Sequence, residues 1–154
     1  MAHALKQHKP HLLHNSFIPG LKGIDSKMSA SEPNTAIFMS DTNKQVHNKI
    51  MRHAFSGGRD TAEEQREFGA NVAVDVSCRY LSIYGRFNEF IPKLTGFDPN
   101  KILDDYSNGI ILTGTLKKIL IDILCNMLTT YRKQRVSDSI LNIVMSLTPI
   151  NDTN

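Results

Sequence analysis

Thr113-Gly114-Thr115-Leu116-Lys117-Lys118-Ile119-Leu120-Ile121-Asp122-Ile123-Leu124-Cys125-Asn126-Met127-Leu128-Thr129-Thr130-Tyr131 is the stretch that decides the fold class. Leu116, Ile119, Leu120, Ile123, Leu124, Leu128 and Tyr131 recur at three-four spacing over about four turns, the signature of a helix that buries one face. The longest helix is therefore expected after Thr113. Working backwards, Asp98 before Pro99 supplies a cap and an N1 proline for a helix carrying Ile102, Leu103 and Tyr106, and Gly109 ends it. Asp75 caps an apolar segment with Val76, Tyr80, Tyr84 and Phe87. Thr61 and Glu64 fit a capping box for a short polar helix that stops near Gly69. Val46, Ile50 and Ala54 recur at intervals of four, so residues 42–54 read as an amphipathic helix capped by Asp41. Forward of the long helix, Ile140, Leu141, Val144 and Leu147 predict a last one. Six helices of this kind make a mainly α fold.

Residues 1–40 have a different texture. Pro10, Pro19, Gly20, Gly23 and Pro33 break any periodicity, and only two short apolar runs, around Leu12 and Leu13 and from Ala36 to Met39, could be strands. Neither has an obvious pairing partner, and a lone strand does not stand by itself. The expected division is residues 1–40 as the end of a larger domain and residues 41–154 as a helical one. Of the 154 residues 40% are apolar and 21% charged, enough for a core and too evenly mixed for a disordered chain. The formal charge is only +3, yet residues 1–60 carry eight basic and four acidic side chains, so an anion is most easily accommodated there. Two cysteines, Cys78 and Cys125, lie inside helical patterns, which argues against a disulfide framework and for a reducing compartment such as the cytoplasm. No run approaches the roughly 18 apolar residues of a membrane span, and no signal-peptide core is present. A soluble protein, or a piece of one, is expected.

The chemistry concentrates at Lys27-Met28-Ser29-Ala30-Ser31, which follows the basic, Gly-rich Pro19-Gly20-Leu21-Lys22-Gly23. A mobile ammonium, two hydroxyls and small residues suit a polyphosphate: the lysine follows shifting negative charge, the serines reach phosphate oxygens, and the small residues admit close approach. On composition alone an exposed polar loop with one lysine is the better description.

The pentapeptide resembles the Lys-Met-Ser-Lys-Ser loop of class I aminoacyl-tRNA synthetases, and the flanking text narrows the resemblance. Lys27 to Asn34, His53 to Thr61, Val74 to Ser77 and Leu112 to Lys118 are similar, in order and spacing, to tryptophanyl-tRNA synthetases of eukaryotic and archaeal type. The resemblance runs from about Pro10 to about Tyr131. It implies that residues 1–40 are the tail of a Rossmann-type catalytic domain and that the helices form an anticodon-binding domain. It implies ATP with Mg2+ and tryptophan as substrates of the full-length protein, with tRNA(Trp) as partner. Lys27 would then stabilise the pyrophosphate leaving group, and Ser29 and Ser31 would support the loop or reach phosphate. Ala30 replaces the second lysine of many class I enzymes, a form familiar in this branch, and Glu32 stands where Asp is common. The His-x-Gly-His signature that class I enzymes need is absent here, so the fragment alone is expected to be inactive. A homodimeric parent and a monomeric fragment are expected.

Ser56-Gly57-Gly58-Arg59-Asp60-Thr61 joins two helices and needs no partner to do so. In the light of the resemblance, Arg59 and Asp60 are the expected anticodon contacts. Arg can bind phosphate or stack on a base, and Asp can accept from a base amino group. His8, His11 and His14, spaced by three, do not converge on a strand and do not read as a metal site. Tyr80, Tyr84, Phe87 and Phe90 read as core, not as a stacking platform. Arg132, Lys133 and Arg135 suit the C-terminal end of the long helix through its dipole, with tRNA backbone contact as the alternative. The rival reading of the whole chain is a non-catalytic RNA-binding or helical interaction module.

Overall fold

The computed structural model describes residues 17–84 and 98–137, and within them every regular element is helical. The elements are a 3-10 turn at Pro33–Thr35 and five α-helices: α1 Asn43–His53, α2 Ala62–Phe68, α3 Val76–Tyr84, α4 Pro99–Ser107 and α5 Thr113–Ser137. The runs around Leu12 and Leu13, the three histidines, Phe87, Phe90, the side chain of Arg135 and the helix expected near Ile140 lie outside the described residues. The run from Ala36 to Met39 is not a strand. Ala36 is extended, but the segment leads straight from the 3-10 turn into α1 without pairing.

α5 is the axis of the molecule. At 25 residues it is about 38 Å long, and α1, α3 and α4 all pack on it. Leu116, Leu120, Ile123, Leu124 and Leu128 are buried as the spacing predicts, whereas Tyr131 is 40% exposed. Val46 and Ile50 of α1, Val76, Tyr80 and Leu81 of α3, and Ile102 and Tyr106 of α4 complete the core. Leu21, from the irregular front segment, is as fully buried as any of them. Residues 17–40 therefore share one hydrophobic core with the helices.

Three local expectations need correcting. Asp41 does not cap α1. Thr42 does, accepting from the Gln45 N–H at 3.3 Å while the Gln45 side chain accepts from the Thr42 N–H at 2.8 Å, a reciprocal box that satisfies two orphan donors. Asp41, now released from capping, is buried and pairs with Lys49 at 2.7 Å. At α2 the cap is made by Thr61 alone, accepting from the Glu64 N–H at 3.2 Å. Asp98 caps α4 through the Asn100 N–H as expected. Arg132 does not end the long helix, which runs on to Ser137; its guanidinium donates to the carbonyls of Met39 and Asp41.

Candidate functional site

The segment carrying Lys27 is rooted in the helices. The Tyr80 hydroxyl donates to the Pro19 carbonyl at 2.8 Å, and the Phe55 N–H donates to the Leu21 carbonyl at 2.8 Å. The Leu21 N–H in turn donates to the Thr35 carbonyl at 2.9 Å, closing residues 21–35 into a loop. Gly20 is required at the throat, because a Cβ there would stand 2.9 Å from the Lys27 carbonyl oxygen. Buried Thr35 ties down the far side. Its hydroxyl accepts from the Ser29 N–H at 3.1 Å and donates to the Glu32 carbonyl at 2.7 Å. Glu32 forms an ion pair with Lys22 across the loop, so one of the two lysines is already occupied.

Lys27 is the other. It is exposed and makes no hydrogen bond or ion pair among the described residues. Met28 packs partly on the core, which orients the backbone on either side of it. Ser29 and Ser31 share a hydrogen bond at 2.8 Å between their hydroxyls, and Ala30 between them is exposed. Lys27 and Met28 border a cleft of about 650 Å³ whose other walls include Phe17, Ile18 and Ile24. The arrangement offers one unspent ammonium and two adjacent hydroxyls beside an apolar recess.

The second site is the connection between α1 and α2. Gly57 and Gly58 are packed against backbone and side chains on both sides: a Cβ on Gly57 would lie 1.9 Å from the Asn71 carbonyl oxygen, and one on Gly58 would lie 2.2 Å from Thr113 Oγ1. The Gly57 N–H donates to Asp75 Oδ2 at 2.8 Å, and the Gly58 N–H to Ser56 Oγ at 3.1 Å. Asp75 caps α3 as expected, with Oδ1 accepting from the Cys78 N–H at 3.1 Å, yet its other oxygen also receives the Tyr106 hydroxyl at 2.8 Å. Burial, reinforced by the Asp75 charge, pushes the Cys78 thiol up and leaves it inert.

This scaffold delivers Arg59 and Asp60 to the surface side by side. Both are exposed, at the mouth of a cleft of about 510 Å³ between residues 56–62 and the Leu112–Gly114 segment, with Gln65 at its floor. Arg59 has only a long bond, 3.4 Å, to the Gly69 carbonyl, and Asp60 has no partner among the described residues. Since Thr61 holds the cap position, Asp60 is not needed to start α2.

Sequence reasoning missed the hydrogen-bonded residues beneath the turn, Gln65 and Tyr106 buried and Ser56 and Thr113 half-buried. Ser56, Gln65, Tyr106 and Thr113 meet there from four segments. It also missed Lys117, which is buried in the first turn of α5 and donates to the Ala54 carbonyl at 2.7 Å. Burial lowers the Lys117 ammonium pKa, and the Asp75 charge opposes that shift. Among the described residues no three His, Cys, Asp or Glu side chains converge as a metal site would need.

Both sites lie inside one continuous family match. The sequence pattern of the tRNA synthetases class I (W and Y) fits residues 1–129. The chain belongs to that family. It is 48% identical over 140 residues to the cytoplasmic tryptophan–tRNA ligase of Oryctolagus cuniculus, a stretch covering 90% of this chain and 28% of that protein. Among solved structures, the tryptophanyl-tRNA synthetase of Giardia lamblia matches with a TM-score of 0.69 and 44% identity, over 81% of this chain and 29% of that one. A tryptophanyl-tRNA synthetase homolog from Entamoeba histolytica matches with a TM-score of 0.75 and 30% identity, over 96% and 38%. The chain thus spans between about a quarter and two-fifths of the length of these class I relatives.

Proposed function

We propose that the chain is the C-terminal part of a cytoplasmic tryptophan–tRNA ligase, with the end of a Rossmann-type catalytic domain in residues 1–40 and an anticodon-binding domain in residues 41–154. The full-length ligase activates tryptophan with ATP as an aminoacyl-adenylate and then transfers it to tRNA(Trp), releasing AMP. In the first step the tryptophan carboxylate attacks the α-phosphorus of ATP, and the bond to the departing pyrophosphate breaks. Lys27 moves with that leaving group and offsets its growing charge, while Mg2+ arrives on the ATP phosphates as part of the substrate. Ser29 and Ser31 turn their hydroxyls from each other to phosphate oxygens, with Ala30 as the backbone between them and Met28 anchoring the segment ahead of Ser29. The amino-acid pocket and the His-x-Gly-His signature belong to a segment upstream, so this fragment alone is inactive. The full-length ligase is a homodimer and the fragment a monomer.

The observation that carries the reading is that the family match runs unbroken through the Lys27 loop and through a turn that presents Asp60 unpaired among the described residues, and Arg59 with one long bond, at a cleft. Anticodon bases are splayed from the RNA stack, and their Watson–Crick edges are open to an acceptor such as Asp60 and a donor such as Arg59. Binding of a fluorescent RNA hairpin carrying the tRNA(Trp) anticodon loop tests it. Asp60→Ala should weaken binding about tenfold, the scale of one good base contact, with thermal stability unchanged because Thr61 is the cap. Equal affinity of the Asp60→Ala chain and the parent chain for the hairpin would refute the assignment.

A further inference from the structure

The hydroxyl protons beneath the turn can be counted. Burial pushes the Tyr106 phenol up to about 12, so it keeps its proton at every physiological pH and donates it to Asp75 Oδ2 at 2.8 Å. Thr113 donates to Gln65 Oε1 at 3.0 Å, and that amide is held in register because its Nε2 donates to the Ile111 carbonyl at 3.3 Å. Ser56 then has one proton for two acceptors, Thr113 Oγ1 at 3.3 Å and the Tyr106 oxygen at 3.4 Å, while its own oxygen receives the Gly58 N–H. Asp75 receives the Gly57 N–H on the oxygen that Tyr106 also reaches. Each hydroxyl proton has a destination, and both glycine N–H groups of the turn end on this network. Tyr106 touches both halves of it: the carboxylate that holds Gly57 and the serine that holds Gly58. It is completely buried, and it comes from a helix with no surface in the cleft's mouth.

We propose that Tyr106 is a positioning residue for RNA recognition: its hydroxyl locks the Gly57–Gly58 turn in the one shape that points Arg59 and Asp60 together into the cleft. The inference rests on the RNA-reading role of that turn. Tyr106 itself touches no RNA. Tyr106→Phe keeps the ring in the core and removes the hydroxyl alone, so Asp75 loses a donor, the contact to Thr113 Oγ1 at 3.2 Å is lost, and Ser56 is left with Thr113 as its one acceptor. The turn then samples other shapes, and binding is reduced by the fraction of time it spends in them.

The test uses the whole 154-residue chain and the labelled anticodon hairpin. Tyr106→Phe should weaken binding roughly tenfold. In an Asp60→Ala background, Tyr106→Phe should cost clearly less than in the parent chain, because only the Arg59 contact is left to misposition. Val46→Ala, which opens a cavity in α1 away from the turn, serves as the stability control. It should lower the melting temperature and leave hairpin affinity unchanged. If Asp60→Ala binds as well as the parent chain, RNA reading at the turn fails and this inference fails with it. If Asp60→Ala is weakened but Tyr106→Phe is not, or if the two losses simply multiply, the turn still reads RNA and only the positioning role is overturned. A loss of affinity in Val46→Ala matching that in Tyr106→Phe would likewise assign the effect to general stability and overturn the role.

Discussion

Replacing Lys49 by methionine should destabilise the chain far more than an ordinary lysine loss. The Lys49 ammonium lies 2.7 Å from Asp41 Oδ2, 3.0 Å from the Ala36 carbonyl and 4.4 Å from the centre of the Phe38 ring. Both charged side chains are nearly out of solvent, at 11% and 6% exposure. Methionine matches the unbranched stem and keeps its packing, so the change isolates the charge. Asp41 would be left as a buried carboxylate with the Phe38 N–H, at 2.8 Å, as its remaining donor. Removing one member of a buried pair costs about 3–5 kcal/mol because the survivor stays desolvated. The remaining N–H bond places the expected value near the lower end, about 3 kcal/mol, or roughly a 10 °C fall in Tm for a chain of this size.

The pair also predicts how a second change behaves. Asp41→Asn keeps an acceptor for the Phe38 N–H and should cost about 2 kcal/mol by removing the countercharge. In the double variant neither charge is left uncompensated, so its cost should fall short of the sum by roughly 1–2 kcal/mol. Urea titration followed by circular dichroism measures this, with an unchanged m-value certifying that the native fold is kept. Strict additivity, or a Lys49→Met cost below about 0.5 kcal/mol, would refute the view that this buried pair contributes to stability.

Gly57→Ala should cost about 2–3 kcal/mol by overpacking, because its Cβ would fall on the Asn71 carbonyl oxygen, and that strand of backbone is held by the Asn71 N–H donating to the Gly57 carbonyl at 2.8 Å. Gly23→Ala, with nothing within 4 Å, should stay within about 0.5 kcal/mol in the same melt. Stability should also decay in alkali. Folded Tyr106 holds its proton to about 12 while the unfolded phenol, with the ordinary value of 10.0, has released it, so between those values the unfolded chain binds fewer protons and stability falls by about 1.4 kcal/mol per pH unit. Urea titrations at pH 9, 10 and 11 should show this slope diminished in Tyr106→Phe; an unchanged slope would mean another group is responsible.

The helices were legible wherever the signal was local. The spacing of Leu116 to Leu128 and the Asp98-Pro99 start depend on neighbours within one or two turns, and both are present as read. The α1 cap shows how a local signal is misread. Asp41 and Thr42 are both good caps, and the residue three further on decides between them: Lys44 after Asp41, but Gln45 after Thr42, and only a Gln or Glu can return the bond. Asp41 faces a lysine two turns away, a pairing that periodicity alone does not reveal. The network under the turn was illegible for a stronger reason. Its bonds join residues 31, 48 and 57 apart in the chain, and no spacing rule connects a tyrosine in one helix to a serine before another. Lys117 was hidden by its neighbours, since a lysine between Leu116 and Ile119 reads as the polar edge of a stripe. The carbonyls left open at the end of α1 draw it inward.

The start of α3 ties the two sites together mechanically. Asp75 holds Gly57, the Val76 N–H donates to the Phe55 carbonyl at 3.1 Å, and Tyr80 holds Pro19. Phe55 completes the arrangement, since its N–H donates to Leu21 at the root of the Lys27 loop and its carbonyl accepts from Val76. The change in sequence texture at residue 40 is thus no break in packing: the loop and the turn are fixed to the same two turns of helix, on opposite sides of Phe55. Half the Phe55 side chain is exposed, so its backbone and not its ring is what the junction uses. A substitution there that keeps the N–H leaves both attachments in place, whereas any change that displaces the first turn of α3 moves the loop and the turn at once.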